Sequence, residues 1–191
     1  MDSRVSEAIK ALRKGGIIVY PTETLYGLGA DINNEAAVKR IYELKGRQAD
    51  APVSIAVAKE EVMVYAEVSD AAERIIRDYL PGPVALLLKK KGVHEWITKN
   101  EYVGIRVPDN PIALGIVEEF GPIVSTSANK SGEPAAHSVE DISREVLDNA
   151  DYVIDAGPTK YKGPSTILRV DHAVEVVRQG VFDAGKIQGS W

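Results

Sequence analysis

Cysteine is absent from this chain of 191 residues, and histidine, methionine, phenylalanine and tryptophan are scarce. Without cysteine the protein can form no disulfide, no thiolate zinc site and no cysteine nucleophile. The histidines, at positions 94, 137 and 172, stand singly without H-x-x-x-H spacing, so we expect no built-in transition-metal site. We assign them, together with Trp96 and Trp191, to packing or surface positions.

Long apolar runs are also missing. No stretch of about 18 apolar residues occurs, and no charged-then-apolar leader begins the chain, so we expect neither a membrane span nor a signal peptide. A cytoplasmic protein is the resulting expectation. Apolar residues make up 45% of the sequence, which suffices for one full core, and we predict a single domain over residues 1–191.

The formal net charge is −5, which argues against tight, unspecific binding of nucleic acid. A local positive field is compatible with an acidic total. The run Lys89-Lys90-Lys91 and the pair Lys45 and Arg47 are candidates to form one positive cleft. For the lysine run, the alternative is a solvated strand end.

Apolar spacing and capping residues predict the secondary structure. Asn34 is a candidate N-cap, and Gly46 stands where a helix C-terminus favours glycine. Strands alternate with helices early and cluster late, which predicts an α/β fold with a twisted, mixed, largely open sheet, flanking helices and a central positive cleft. We predict helices near residues 3–14, 35–45, 69–80, 110–121 and 138–149, and strands near 17–20, 53–58, 84–88, 103–107, 123–124, 152–154, 166–170 and 174–178.

Two polar clusters interrupt these elements, Lys45-Gly46-Arg47 after a helix and Ser125-Thr126-Ser127-Ala128-Asn129 at the end of a strand. Cations neutralise phosphate oxygens, and short hydroxyl and amide side chains hydrogen-bond them, so together the clusters suit a phosphate-bearing ligand. Two other interpretations remain. The first cluster is also typical of a solvated helix C-terminus, and the second of a polar turn.

Two further blocks accompany the clusters: residues 21–29, which read Pro-Thr-Glu-Thr-Leu-Tyr-Gly-Leu-Gly, and residues 163–166, which read Gly-Pro-Ser-Thr. The first follows a buried strand, where the end of a sheet opens into a cleft. It lacks the third glycine of a dinucleotide fingerprint and is no Walker loop, so an ordinary strand-to-helix turn is the alternative.

In this order, the four blocks closely resemble those of the threonylcarbamoyl-AMP synthase family, the YrdC-like proteins. That family carries a K-x-R motif followed at a distance by S-x-N, which here read Lys45, Arg47, Ser127 and Asn129. The resemblance runs from about Gly15 to Gly180. It is closest to the short, single-domain branch of the family.

The resemblance implies site residues. Lys45, Arg47, Ser127 and Asn129 would act in catalysis and bind the nucleotide, with Arg178 as a further nucleotide contact. For Arg106, a ligand contact and a carboxylate partner both remain open. Alanine replaces polar residues common in relatives at positions 51, 56, 85 and 135, so contacts are missing there or are made elsewhere. The implied threonine-binding residues are Thr22, Thr24, Ser125 and Ser165.

The implied reaction condenses L-threonine, bicarbonate and ATP into threonylcarbamoyl-AMP and pyrophosphate, with Mg²⁺ arriving on the nucleotide. A separate transferase complex would then pass the threonylcarbamoyl group to tRNA. We expect the loop at residues 156–163 to cover the site. We expect at most a weak contact of this enzyme with tRNA or double-stranded RNA. Two alternatives remain: a double-stranded RNA-binding module without catalysis, and a relative of the carbamoyl-transfer domain of hydrogenase maturation proteins.

Overall fold

The computed structural model describes residues 2–46 and 53–188. The helices within these residues are α1 (Ser3–Arg13), α2 (Glu35–Lys45), α3 (Val62–Tyr65), α4 (Asp70–Tyr79), α5 (Pro111–Phe120), α6 (Arg144–Asn149) and α7 (Gly185–Gln188). The strands are β1 (Ile18–Pro21), β2 (Tyr26–Gly29), β3 (Ser54–Ala56), β4 (Val84–Lys89), β5 (Tyr102–Arg106), β6 (Ile123–Ser127), β7 (Tyr152–Val153), β8 (Thr166–Val170) and β9 (Val174–Arg178).

All these strands belong to one sheet, in the order β7-β1-β2-β6-β3-β5-β4-β8-β9. The pairs β1–β7, β3–β5 and β4–β8 are parallel, and the remaining neighbours are antiparallel. The predicted mixed, open sheet flanked by helices is therefore confirmed.

Both faces of the sheet are covered, because alternate residues of a strand point to opposite sides. In β1, Val19 belongs to the larger apolar cluster, whereas Ile18 and Tyr20 belong to the smaller one. Helices α1 and α5 pack over the smaller cluster, and α2 and α4 contribute to the larger. Because helices cover both faces of the sheet, a ligand-binding site is expected at the polar ends of the strands.

The predicted caps are present. The side chain of Asn34 accepts a hydrogen bond from the backbone N–H of Ala37, and Gly46 ends α2 in the left-handed region at φ 60°. Ser69 caps α4 through the N–H of Ala72. Because these local signals act within one turn, the sequence places the helix termini well.

Two parts of the secondary structure differ from the sequence analysis. Residues 26–29 form strand β2, which pairs antiparallel with β1, so the alternative of an ordinary strand-to-helix turn is wrong. The helix predicted near residues 138–149 is divided: Ser138 and Asp141 close a 3-10 turn, Ile142 is extended, and α6 begins after the N-cap Ser143. Ser143 caps α6 through the backbone N–H of Val146, so a new helix begins there and the first turn does not continue into it.

Candidate functional site

A cavity of about 530 Å³ opens where the polar ends of several strands meet. Strands β2 to β6, β8 and β9 contribute to its wall, as does the turn between β1 and β2. The lining residues are Thr22, Thr24, Leu25, Tyr26, Gly27, Val53, Ser54, Ala85, Arg106, Ser125, Thr126, Ser127, Asn129, Ala135, Pro164, Ser165, Ile167 and Arg178.

The structure gathers most of the predicted site residues at this cavity. Lys45 does not line it but contacts two residues that do. Arg47 and Ala51 lie outside the described residues. The predicted residues in the lining are Thr22, Thr24, Ser125, Ser127, Asn129, Ser165 and Arg178.

The turn between β1 and β2 is held by its own hydroxyl groups. The Oγ1 of Thr22 donates to the carbonyl oxygen of Leu25 at 2.7 Å, and it accepts the N–H groups of Thr24 and Leu25. The two threonine hydroxyls lie 2.9 Å apart, within hydrogen-bond distance of each other. Both side chains are buried, so the turn presents a fixed polar surface to the cavity.

Arg106 forms a buried ion pair with Glu23. Its Nη2 lies 2.5 Å from Oε1 of Glu23, and the second oxygen of Glu23 accepts the backbone N–H of Asp109 at 3.1 Å. Arg106 also lines the cavity, with Nη1 3.4 Å from Oγ1 of Thr24. Arg106 therefore has a carboxylate partner and also borders the cavity, while a contact with ligand stays a prediction. Sequence reasoning missed Glu23, whose one signal is an acid at the end of a buried strand.

Lys45 is a buried anchor of the S-x-N segment. Its Nζ lies 2.6 Å from the carbonyl oxygen of Ser127 and 2.8 Å from that of Asn129, and only 1% of the residue is exposed. The Oγ of Ser127 donates to Oδ1 of Asn129 at 2.5 Å. For Lys45, the solvated helix end is therefore the wrong interpretation, because the ammonium group lies inside the protein at the base of the cluster.

Arg178 and Ser165 are brought together across two strands. From β9, Nη2 of Arg178 donates to the carbonyl oxygen of Ser165 at 2.9 Å, and Nε donates to the same oxygen at 3.3 Å. This pair fixes the segment that leads into β8. It places a guanidinium group and a buried hydroxyl side by side in the cavity wall.

Several expectations about the surroundings are corrected. The lysine run lies at the far end of β4, about 13 Å along the strand from Ala85, with Lys89 near Glu67 and Lys90 donating to Thr98. The loop at residues 156–163 does not line the cavity. It contacts the turn between β1 and β2 instead, because the hydroxyl of Thr159 donates to the carbonyl oxygen of Thr24 at 2.8 Å.

The alanines that replace polar residues of relatives divide into two groups. Ala85 and Ala135 line the cavity, so a missing polar contact there widens the ligand space. Ala56 is buried in the smaller core beside α5 and does not face the cavity.

The cavity wall carries guanidinium groups but no carboxylate among its described residues. In the same described parts of the chain, no group of three or more acidic or histidine side chains could hold a metal ion, and no helix is long and apolar enough to cross a membrane. Donors without acids in a concave wall favour an anionic ligand.

Comparison with known proteins agrees with this chemistry. A family model, Sua5_yciO_yrdC, described as "Telomere recombination", matches residues 10–180. A putative threonylcarbamoyl-AMP synthase of Methanocaldococcus jannaschii is 43% identical over 93% of this chain and 86% of its own length. The threonylcarbamoyl-AMP synthase of Bacillus subtilis is 35% identical over 87% of this chain, which spans half of that relative.

A solved structure of similar fold is that of Pyrococcus abyssi Sua5 complexed with L-threonine. It superposes with a TM-score of 0.92 at 35% identity, covering 97% of this chain and 56% of the Sua5 chain.

Proposed function

The chain belongs to the Sua5/YciO/YrdC family, and on this premise we propose that it is an L-threonylcarbamoyladenylate synthase. One observation carries the proposal: Thr22, Thr24, Ser127, Asn129 and Arg178, which are distant in sequence, line a single cavity. The relatives named threonylcarbamoyl-AMP synthase and the Sua5 structure with L-threonine support it.

We propose that two parts of the wall divide the substrates. Ser127 and Asn129, backed by Lys45 and joined by Arg47, bind the phosphates of ATP. Thr22, Thr24, Ser125 and Ser165 surround the amino acid, with Arg106 as the nearby cation for its carboxylate. In this arrangement the amine of L-threonine and the α-phosphate of ATP meet in the middle of the cavity.

The chemistry needs no nucleophilic side chain. The threonine amine adds to bicarbonate and water leaves, giving a carbamate. A carbamate oxygen then attacks the α-phosphorus of ATP in line, and pyrophosphate departs with the electron pair of the broken P–O bond. Positioning and charge neutralisation supply the catalysis, which suits a wall of hydroxyl, amide and guanidinium groups.

We further propose that Mg²⁺ enters with ATP, held by phosphate oxygens, because the described wall provides no carboxylate ligands. When bound, it would neutralise charge on the phosphates. The product would pass in the cytoplasm to a separate transferase complex that modifies tRNA. Direct contact of this chain with tRNA would be weak, in keeping with its net charge of −5.

The test is pyrophosphate release by the purified protein with L-threonine, bicarbonate and ATP, and with each omitted in turn. We expect release only with all three. Release from carbamoyl phosphate and ATP without threonine would favour the hydrogenase-maturation chemistry instead. Binding of double-stranded RNA without any release would favour the RNA-binding module.

Variants locate the activity in the cavity. Asn129→Ala and Ser127→Ala should lower pyrophosphate release while the protein remains folded, because both side chains are polar, lie at or just after the end of β6 and add little apolar burial. Asn100→Ala, at an exposed asparagine outside the cavity, is the matched control. A collapse of Tm together with activity would instead make the S-x-N segment a turn-forming element.

A further inference from the structure

Tyr20 is a fully buried tyrosine whose ring lies across the neighbouring strand β2. The ring occupies the space that side chains on β2 would need. A Cβ at Gly27 would lie 3.0 Å from Cε1 of Tyr20 and 3.3 Å from its hydroxyl oxygen, and a Cβ at Gly29 would lie 3.0 Å from Cε1. Glycine at both positions therefore makes room for the ring. This explains two glycines in a strand, where glycine is otherwise unfavourable.

The ring reaches over β2 to the strand beyond it. In the sheet, Tyr20 is paired with Gly27, and Gly27 is paired with Ser127 of β6. The hydroxyl of Tyr20 ends 3.1 Å from Oγ of Ser125, also on β6. Ser125 lines the cavity, whereas Tyr20 does not.

The direction of this hydrogen bond can be argued from the buried phenol. Burial raises the pKa of Tyr20, so the phenol keeps its proton at physiological pH. Apart from Ser125, no hydrogen-bond partner of this hydroxyl is found among the described residues. The phenol therefore donates to Oγ of Ser125.

A serine hydroxyl has one hydrogen. When its oxygen accepts from Tyr20, that hydrogen turns away from the phenol, toward the cavity side. Arg106 lines the same cavity as Ser125. A hydroxyl group and a guanidinium group in the same wall can both donate hydrogen bonds to a carboxylate.

We infer that Tyr20 is a positioning residue that orients the Ser125 hydroxyl as a hydrogen-bond donor to the carboxylate of the amino-acid substrate. This inference rests on the proposed function, since it assigns a role within the threonine part of the cavity. The phenol itself does not touch the substrate.

The test removes single atoms. Tyr20→Phe deletes only the buried hydroxyl, and Ser125→Ala deletes the group that it orients. By calorimetry with L-threonine, we expect Tyr20→Phe to weaken binding about 3- to 10-fold, with nucleotide affinity unchanged. Ser125→Ala should weaken threonine binding at least as much, and the double variant no more than Ser125→Ala alone, because the two groups act as one unit.

The control is Tyr102→Phe, which deletes a hydroxyl bonded to Asp171 at the other end of β5 from Arg106. It should leave threonine binding unchanged. Unchanged threonine affinity in Tyr20→Phe, or effects that add in the double variant, would overturn the inference. A Tyr20→Phe protein with lowered Tm and equally weakened threonine and nucleotide binding would also overturn it, because that pattern is merely structural.

These measurements separate the inference from the function on which it rests. Calorimetry with threonine requires no turnover. A wild-type protein that binds threonine but releases no pyrophosphate would contradict the proposed synthase activity. The threonine affinities of the wild type and Tyr20→Phe would still test the role of Tyr20.

Discussion

The buried ion pair of Glu23 and Arg106 predicts which of its two single variants loses more stability. The Glu23 side chain is 1% exposed and the Arg106 side chain 9%, and Arg106 also borders the cavity. Removing one partner of a buried ion pair costs about 3–5 kcal/mol because the other charge remains buried and unpaired. Arg106, left alone, keeps some access to water in the cavity, whereas Glu23 has almost none.

Arg106→Met should therefore destabilise the protein more than Glu23→Gln. We expect a loss near 5 kcal/mol for the first and near 3 kcal/mol for the second, as rough values. For a chain of this length, each kcal/mol lowers Tm by about 2–4 °C, so the shift for Glu23→Gln is about 6–12 °C. The double variant, in which no charge is left unpaired, should recover much of the loss.

The assay is urea unfolding of the wild type, both single variants and the double variant. Losses that add in the double variant would refute the reasoning, and so would a Glu23→Gln variant less stable than Arg106→Met.

The other predictions concern the ligands. Arg47→Ala should weaken ATP binding by about 1.5–3 kcal/mol and threonine binding less, as calorimetry would show; unchanged ATP affinity would remove Arg47 from the site. Lys45→Met should lower both Tm and pyrophosphate release, because the carbonyl oxygens of Ser127 and Asn129 lose the buried ammonium group that donates to both; a wild-type Tm would contradict this. In competition assays, threonine should bind better than serine, because loss of the methyl group costs about 0.8 kcal/mol of binding free energy. Serine should bind better than valine, because valine leaves the polar partners of the hydroxyl unpaired, at a cost of about 1–3 kcal/mol. Equal binding of valine and threonine would refute the pocket assignment.

The sequence predicts best those features that depend on a few adjacent residues. The cap at Asn34 and the glycine end of α2 at Gly46 obey rules that act within one helical turn, and the structure confirms both. The polar cavity residues Ser127 and Asn129 were likewise visible as a cluster at a strand end. The role of each in the reaction stays a prediction.

Features that depend on distant partners were missed. Strand β2 contains Gly27 and Gly29, which disfavour a strand by themselves. Pairing with β1 and β6 forms the strand, and the ring of Tyr20 packed across it explains the two glycines. Glu23 was unremarkable until Arg106, 83 positions away in the chain, proved to be its partner. Local propensity cannot show such pairings, because they exist only after the sheet has assembled.

The charge distribution explains how an acidic protein can hold an anionic ligand. The net charge is −5, yet the described cavity wall contains Arg106 and Arg178 and no carboxylate. Glu23, which lies in the turn between β1 and β2, is bound to Arg106 and to the N–H of Asp109, so both of its oxygens already have a donor. The pair contributes little net charge at long range, but the hydroxyl and N–H donors around it act within hydrogen-bond distance. Recognition in this cavity therefore depends on short-range geometry rather than on a positive field over the whole cleft.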